Sequence, residues 1–254
     1  MTDRWPARLW IVRHGESAGN VARDAAYQQG LARIDLTGRD VDVPLSPLGR
    51  EQAGALGRWF AQGNEEGRPN VILCSPYVRA QETARLFREA GGCPPGTRIH
   101  LDERLREKEF GILDGLTGRG IRADFPQQAE LRETLGKFYH RPPGGESWCD
   151  VIFRLRALMD TVALHHSGCR VMIVAHQVVV LCLRYVIEGL TEEEILAIDR
   201  EKDVANCSIT EYEWHAAEGS DGGMQLVRYN VTAPMEADAT PVTRKPDPIV
   251  GTRG

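Results

Sequence analysis

The sequence predicts an α/β protein with a mostly parallel central sheet and helices on both faces. Three observations carry this. The unbroken apolar runs Leu9–Val12, Val71–Cys74 and Val171–Ala175 read as strands buried on both faces. Between them lie stretches with apolar residues at helical spacing, such as Leu48, Ala53, Leu56, Trp59 and Phe60. The chain of 254 residues with 42% hydrophobic content is large enough for one such domain with a substantial core.

In chain order, the first strand delivers Arg13-His14-Gly15, and a short helix opens near Glu16 and runs to about Ala26. Residues 23–42 mix charges with Tyr27, Leu31, Ile34 and Leu36. They read as a solvated excursion with a few anchoring apolar residues or, since they leave directly after the His14 turn, as a lid. As a lid they would touch the part of a ligand beyond its anionic group. Ser46 as N-cap and Pro47 at the first helical position start a helix that runs to Phe60. The Val71 strand leads into a helix from about Tyr77 to Ala90, with Arg79 in its first turn. Residues 98–101 suit a short strand, and 118–140 one or two short helices.

A long amphipathic helix follows from Glu146 to His166, then the Val171 strand and an apolar helix from Gln177 to Ile187. Thr191 and Glu194 form a capping-box pair for a further helix. The alternating stretch Cys207–Trp214 reads as a strand, with Leu226–Tyr229 as its hairpin partner across the Gly219–Gly223 loop. The domain is set at residues 1–230. Residues 231–254, punctuated by Pro234, Pro241, Pro246 and Pro248, read as a polar tail, disordered or loosely packed.

Ligands of parallel sheets sit beyond the carboxyl ends of the strands. If the three apolar strands are neighbours, their ends gather Arg13, His14, Arg79 and His176. Two imidazoles and two guanidiniums with no surrounding carboxylates suit a dianion rather than a metal, because the planar guanidinium fork matches phosphate oxygens. No metal-ligand spacing is present, so no metal or other cofactor is expected. The net charge of −5 argues against a nucleic-acid partner. The six scattered cysteines suit free thiols in a reducing compartment. With no signal-like N-terminus and no stretch of membrane-spanning length, the expectation is a cytoplasmic protein without a membrane partner. Oligomeric state is not readable.

Arg13-His14-Gly15-Glu16 resembles the R-H-G-E signature of the histidine phosphatase superfamily, which includes the cofactor-dependent phosphoglycerate mutases. The resemblance continues, in order, through Val43–Gly49, Cys74–Ala84, Leu105–Glu107, Pro143–Ser147 and Val174–His176. It implies a phosphoglycerate mutase-like fold and a phosphohistidine formed on His14. Arg13, Asn20, Arg79 and His176 would hold the phosphate, and Glu107 would be the proton donor. Ser17 and Gln177 are weaker candidates: Ser17 equally suits a helix N-cap, and His176-Gln177 is similar to the pair in fructose-2,6-bisphosphatase-like relatives. Lys108-Glu109-Phe110 departs from the mutase pattern, which favours the phosphatase branch. The expected activity is phosphomonoester hydrolysis on a small phosphorylated metabolite or a phosphoprotein. A mutase-type phosphotransferase is the alternative, and a non-catalytic binder of phosphorylated ligands a more distant one.

Overall fold

The structure is a computed structural model, and it describes residues 4–36, 38–216 and 222–244. A six-stranded sheet runs through the molecule in the order β3-β2-β4-β1-β5-β6. Its strands are β1 (Arg8–Arg13), β2 (Val71–Cys74), β3 (Ile99–Leu101), β4 (Arg170–Ala175), β5 (Ile209–His215) and β6 (Gly223–Val231). The first four are mutually parallel, while β5 and β6 add an antiparallel edge beside β1. The hairpin pairing of β5 with β6 matches the alternating pattern of the sequence; residues 217–221 of its loop lie outside the described residues.

Alternation along β1 explains the two cores. Leu9 and Ile11 point to one side and join Val171, Ile173, Leu155, Leu158 and Val179. That side is covered by α6 (Trp148–His165) and α7 (Gln177–Glu188). Trp10 and Val12 point to the other side and join Leu56, Phe60, Ala84 and Phe87 of α2 (Pro47–Ala61) and α3 (Val78–Glu89). Phe60 anchors this second core, with its ring 5.4 Å from those of both Trp10 and Phe87. Each such side chain contributes about 1.5–3 kcal/mol by leaving water.

The helix starts follow local chemistry. Ser46 caps α2 by accepting from the Gly49 N–H, with Pro47 next, and Thr191 and Glu194 form the reciprocal box that opens α8 (Glu192–Glu201). The region 118–140 forms two helices, α4 (Gly118–Asp124) and α5 (Pro126–Tyr139).

Two irregular stretches are anchored, the first as its apolar residues suggest and the second more firmly than the sequence suggests. After α1 (Ala18–Gln28) the excursion is anchored at Ile34, which is buried and donates its N–H to Gly115 O, while Thr117 N–H bonds Ala32 O. The described part of the tail also packs. Helix α9 (Ala233–Ala237) buries Met235 completely against Leu45, Ala53 and Cys207. One apolar residue in a proline-rich stretch carries no periodicity, so the sequence could not show this docking. Residues 245–254 lie outside the described residues.

Candidate active site

The sheet register sets the site. Arg13 lies opposite Ala175, and Cys74 opposite Val174, so β2, β4 and β1 end side by side at one level. Each strand end then continues into a site residue. His14 N–H extends the ladder to Ala175 O at 2.9 Å, and Ser75 N–H reaches Val174 O at 3.0 Å. His176 follows Ala175 as the N-cap residue of α7.

The His14 turn is held from several directions. Gly15 N–H donates to Thr83 Oγ1 at 3.1 Å, and Asn206 Nδ2 donates to His14 O at 3.1 Å. Gly15 and Gly49 are where backbones meet. A Cβ on Gly15 would stand 2.4 Å from Gly49 O, and one on Gly49 would stand 1.9 Å from Glu16 O. Only glycine lets the first turn of α2 lie against the His14 turn.

His14 is fully buried, and its Nδ1 lies 2.6 Å from Gly15 O. A carbonyl only accepts, so Nδ1 carries the proton and the lone pair of the neutral ring sits on Nε2. The His176 ring stands 5.1 Å away, centroid to centroid, at 63°. Its Nε2 is 2.8 Å from Ser75 Oγ. Tyr77 backs His176 at 5.0 Å, and the Arg79 guanidinium lies over Tyr77 at 4.8 Å. Arg13 and Arg79 are both buried, and Arg13 Nη1 donates to Val204 O at 2.6 Å. The strand ends therefore gather Arg13, His14, His176 and Arg79 as the sequence predicts.

Glu107 is buried, and its Oε1 accepts the Lys108 N–H at 2.8 Å. Its segment is tied to the site by Tyr77, whose hydroxyl donates to Glu109 Oε1 at 3.0 Å. Asn20 is fully buried beside the turn. Its Oδ1 accepts from Ser17 N–H and Ser17 Oγ, both at 2.9 Å, so a bond from Asn20 to an anion must come from its NH2 group. Ser17 is the N-cap of α1. Gln177 is buried and donates to Asp203 Oδ1 at 3.0 Å, tying the start of α7 to the chain beyond α8.

The structure adds a residue that no sequence pattern singles out. Asp40 accepts from Arg79 through both carboxylate oxygens at 3.0 Å each, and its main-chain oxygen accepts from Arg79 Nη1 at 2.7 Å. The segment expected to reach beyond the anionic group thus reaches Arg79 itself. Asn206 was likewise hidden, because it follows Val204-Ala205 without a motif.

Fold and site together define an α/β protein with a crevice of imidazole and guanidinium groups at the ends of parallel strands. The chain belongs to the histidine phosphatase superfamily, branch 1, whose sequence model matches residues 9–232. It is 32% identical over 179 residues to 6-phosphofructo-2-kinase/fructose-2,6-bisphosphatase of Caenorhabditis elegans, covering 70% of this chain but 33% of that protein. It is 26% identical over 234 residues to the probable phosphoglycerate mutase GpmB of Yersinia enterocolitica, covering 91% of this chain and 96% of that one. Among solved structures, a mycobacterial glucosyl-3-phosphoglycerate phosphatase in complex with inorganic phosphate superposes with a TM-score of 0.64 at 26% identity, covering 90% of this chain and 99% of that one. Phosphoryl transfer through a phosphohistidine is general to this family. Among the described residues no helix is long and apolar enough to cross a membrane.

Proposed function

We propose that this chain is a phosphomonoester hydrolase that works through a phosphohistidine on His14, without a metal. The observation that carries the reading is the His14 tautomer. Nδ1 is held by the neighbouring carbonyl, which leaves the Nε2 lone pair on a ring that faces His176. Arg13, Arg79, Asn20 and protonated His176 hold the phosphoryl oxygens, so cationic side chains do the charge stabilisation that metals supply elsewhere. Glu107 gives a proton to the leaving alkoxide, then takes one from the water that attacks the phosphohistidine.

Rapid quench with labelled substrate should trap an acid-labile, base-stable phosphoramidate, and His14→Ala should lose both label and turnover. Equal labelling of His14→Ala would sink the assignment. Activity should survive excess chelator; loss that a divalent ion restores would refute the metal-free mechanism. A mutase-type transferase is the second reading, supported by the match to the probable phosphoglycerate mutase over 91% of the chain. It differs only in what accepts the phosphoryl group. Incubation with 3-phosphoglycerate and a bisphosphorylated primer separates the two, since transfer to a second position without net phosphate release would establish the mutase.

A further inference from the structure

Tyr77 stands between two groups of residues that the proposed reaction uses together. It is buried as the N-cap residue of α3, and Ser75 Oγ accepts its main-chain N–H at 3.3 Å. On one side its ring meets the phosphate-holding groups. The His176 ring stands against it edge to face, with centres 5.0 Å apart at 68°, and the Arg79 guanidinium lies 4.8 Å from its centre. An aromatic face attracts a cation through its quadrupole, and more strongly where water is excluded. His176 and Arg79 are both buried, so one ring forms a shared wall for the two.

On the other side the Tyr77 hydroxyl meets the acid-bearing segment. It donates to Glu109 Oε1 at 3.0 Å. Burial first, and then the charges of Glu109 and Asp40, push its pKa well above the usual tyrosine range, so it remains a donor. Glu109 is two residues from Glu107, and its main chain is held firmly. Its N–H donates to Glu146 Oε2 at 3.1 Å, and its carbonyl accepts the Glu146 N–H at 2.9 Å. Glu146 is buried and accepts from Arg154 at 3.0 and 3.1 Å. Arg154 also donates to the main-chain oxygen of Glu107 at 3.3 Å. A pull on the Glu109 carboxylate is therefore a pull on the main chain that carries Glu107.

We propose that Tyr77 is a positioning residue that sets the separation between the phosphate-holding pair, Arg79 and His176, and the proton donor Glu107. Its ring fixes the cations, and its hydroxyl fixes the acid. The inference rests on the hydrolase reading above, because it needs Glu107 to protonate a leaving oxygen. Proton transfer demands close approach, about 2.6–3.2 Å between heavy atoms, so a small drift of the acid segment is felt. The two ends are chemically separable. Protonation matters most for a poor leaving group, whereas a nitrophenolate leaves without help. Cation placement matters for every ester and for vanadate.

The test uses the whole chain with an alkyl phosphate, nitrophenyl phosphate and vanadate. Tyr77→Phe keeps the ring and removes the hydroxyl. It should lower kcat/KM for the alkyl ester at least about tenfold more than for the nitrophenyl ester, a difference of about 1.4 kcal/mol in transition-state binding. Glu109→Ala should give the same selective loss. The double variant should be no worse than either single one, because both remove the same bond. Glu109→Gln keeps an oxygen for the hydroxyl and should restore part of the alkyl rate. Tyr77→Leu removes the ring too, and its inhibition constant for vanadate should exceed that of Tyr77→Phe at least about fivefold. Equal losses for the two esters in Tyr77→Phe, or losses that multiply in the double variant, overturn the proposal while the hydrolase reading stands. A lower unfolding midpoint with unchanged leaving-group dependence shows a purely structural role and overturns it as well. Equal vanadate constants in Tyr77→Leu and Tyr77→Phe remove the role of the ring. If the wild-type chain hydrolyses neither ester, the hydrolase reading fails and this assignment falls with it. Should Tyr77→Leu not fold, Tyr77→Phe and Glu109→Ala decide the matter.

Discussion

Asp40 is the residue whose placement most changes how the site works. Both terminal nitrogens of Arg79 point at it, and Arg79 is almost fully buried while Asp40 is only partly so. For Arg79 to hold a phosphoryl group through both terminal nitrogens, it must share or release that carboxylate. The two anions compete, and apparent affinity for the incoming one is reduced by the fraction of molecules in which Asp40 is seated. Asp40→Asn keeps the shape and removes the charge. It should lower the inhibition constant for vanadate at least about threefold in a steady-state assay. A raised constant would mean that Asp40 instead holds Arg79 in its working position. No spacing rule could have shown this pairing. Asp40 is one of several acids in an irregular stretch, and which of them folds back depends on how Ile34 and Val43 are buried on either side of it.

At the scale of elements, legibility follows from periodicity. Strands β1, β2 and β4 were readable because an unbroken apolar run has few other destinations than a doubly covered sheet. Their ends then placed His14, His176 and Arg13 without further information. Arg79 was readable because it sits in the first turn of a helix whose start follows a strand. A cavity beneath α4 and α5, lined by Lys108, Arg132 and His140 among others, was not readable. These residues come from a loop, a helix and a helix terminus, and only packing joins them.

The contact between α2 and the His14 turn was hidden for a similar reason, since a glycine near a helix start signals nothing about what lies across from it. Gly49→Ala should force the two backbones apart, because the new Cβ would stand 1.9 Å from Glu16 O. The expected cost is about 1–3 kcal/mol of stability, read as a lower urea midpoint, together with reduced kcat. A variant with wild-type midpoint and turnover would show that the helix start yields freely.

For the whole molecule, the tail belongs to the site's support. Thr243 O accepts the Asn206 N–H at 2.9 Å, and Thr243 Oγ1 donates to Asn206 Oδ1 at 3.0 Å. Asn206 in turn donates to His14 O. On the other side, Gln52 Nε2 donates to Pro241 O and to Thr243 Oγ1, each at 2.9 Å, while Gln52 Oε1 accepts the Glu16 N–H at 2.9 Å. One threonine thus braces both ends of the turn that carries His14. Thr243→Val keeps the volume and removes the side-chain bonds. It should cost about 0.5–1.5 kcal/mol per bond lost and lower kcat more than it raises KM. Unchanged kcat would show that the turn keeps its shape without the brace.

These bonds reach 192 positions from His14 to Asn206 and 191 from Gln52 to Thr243. Contacts so distant along the chain form late, because closing a long loop costs entropy before any contact offsets it. His14 is made among the first residues, and the brace for its turn among the last. During synthesis, which proceeds at about 5–20 residues per second from the N-terminus, the growing chain carries His14 for many seconds without that brace. A partly synthesised chain therefore carries His14 on a turn that still lacks these bonds.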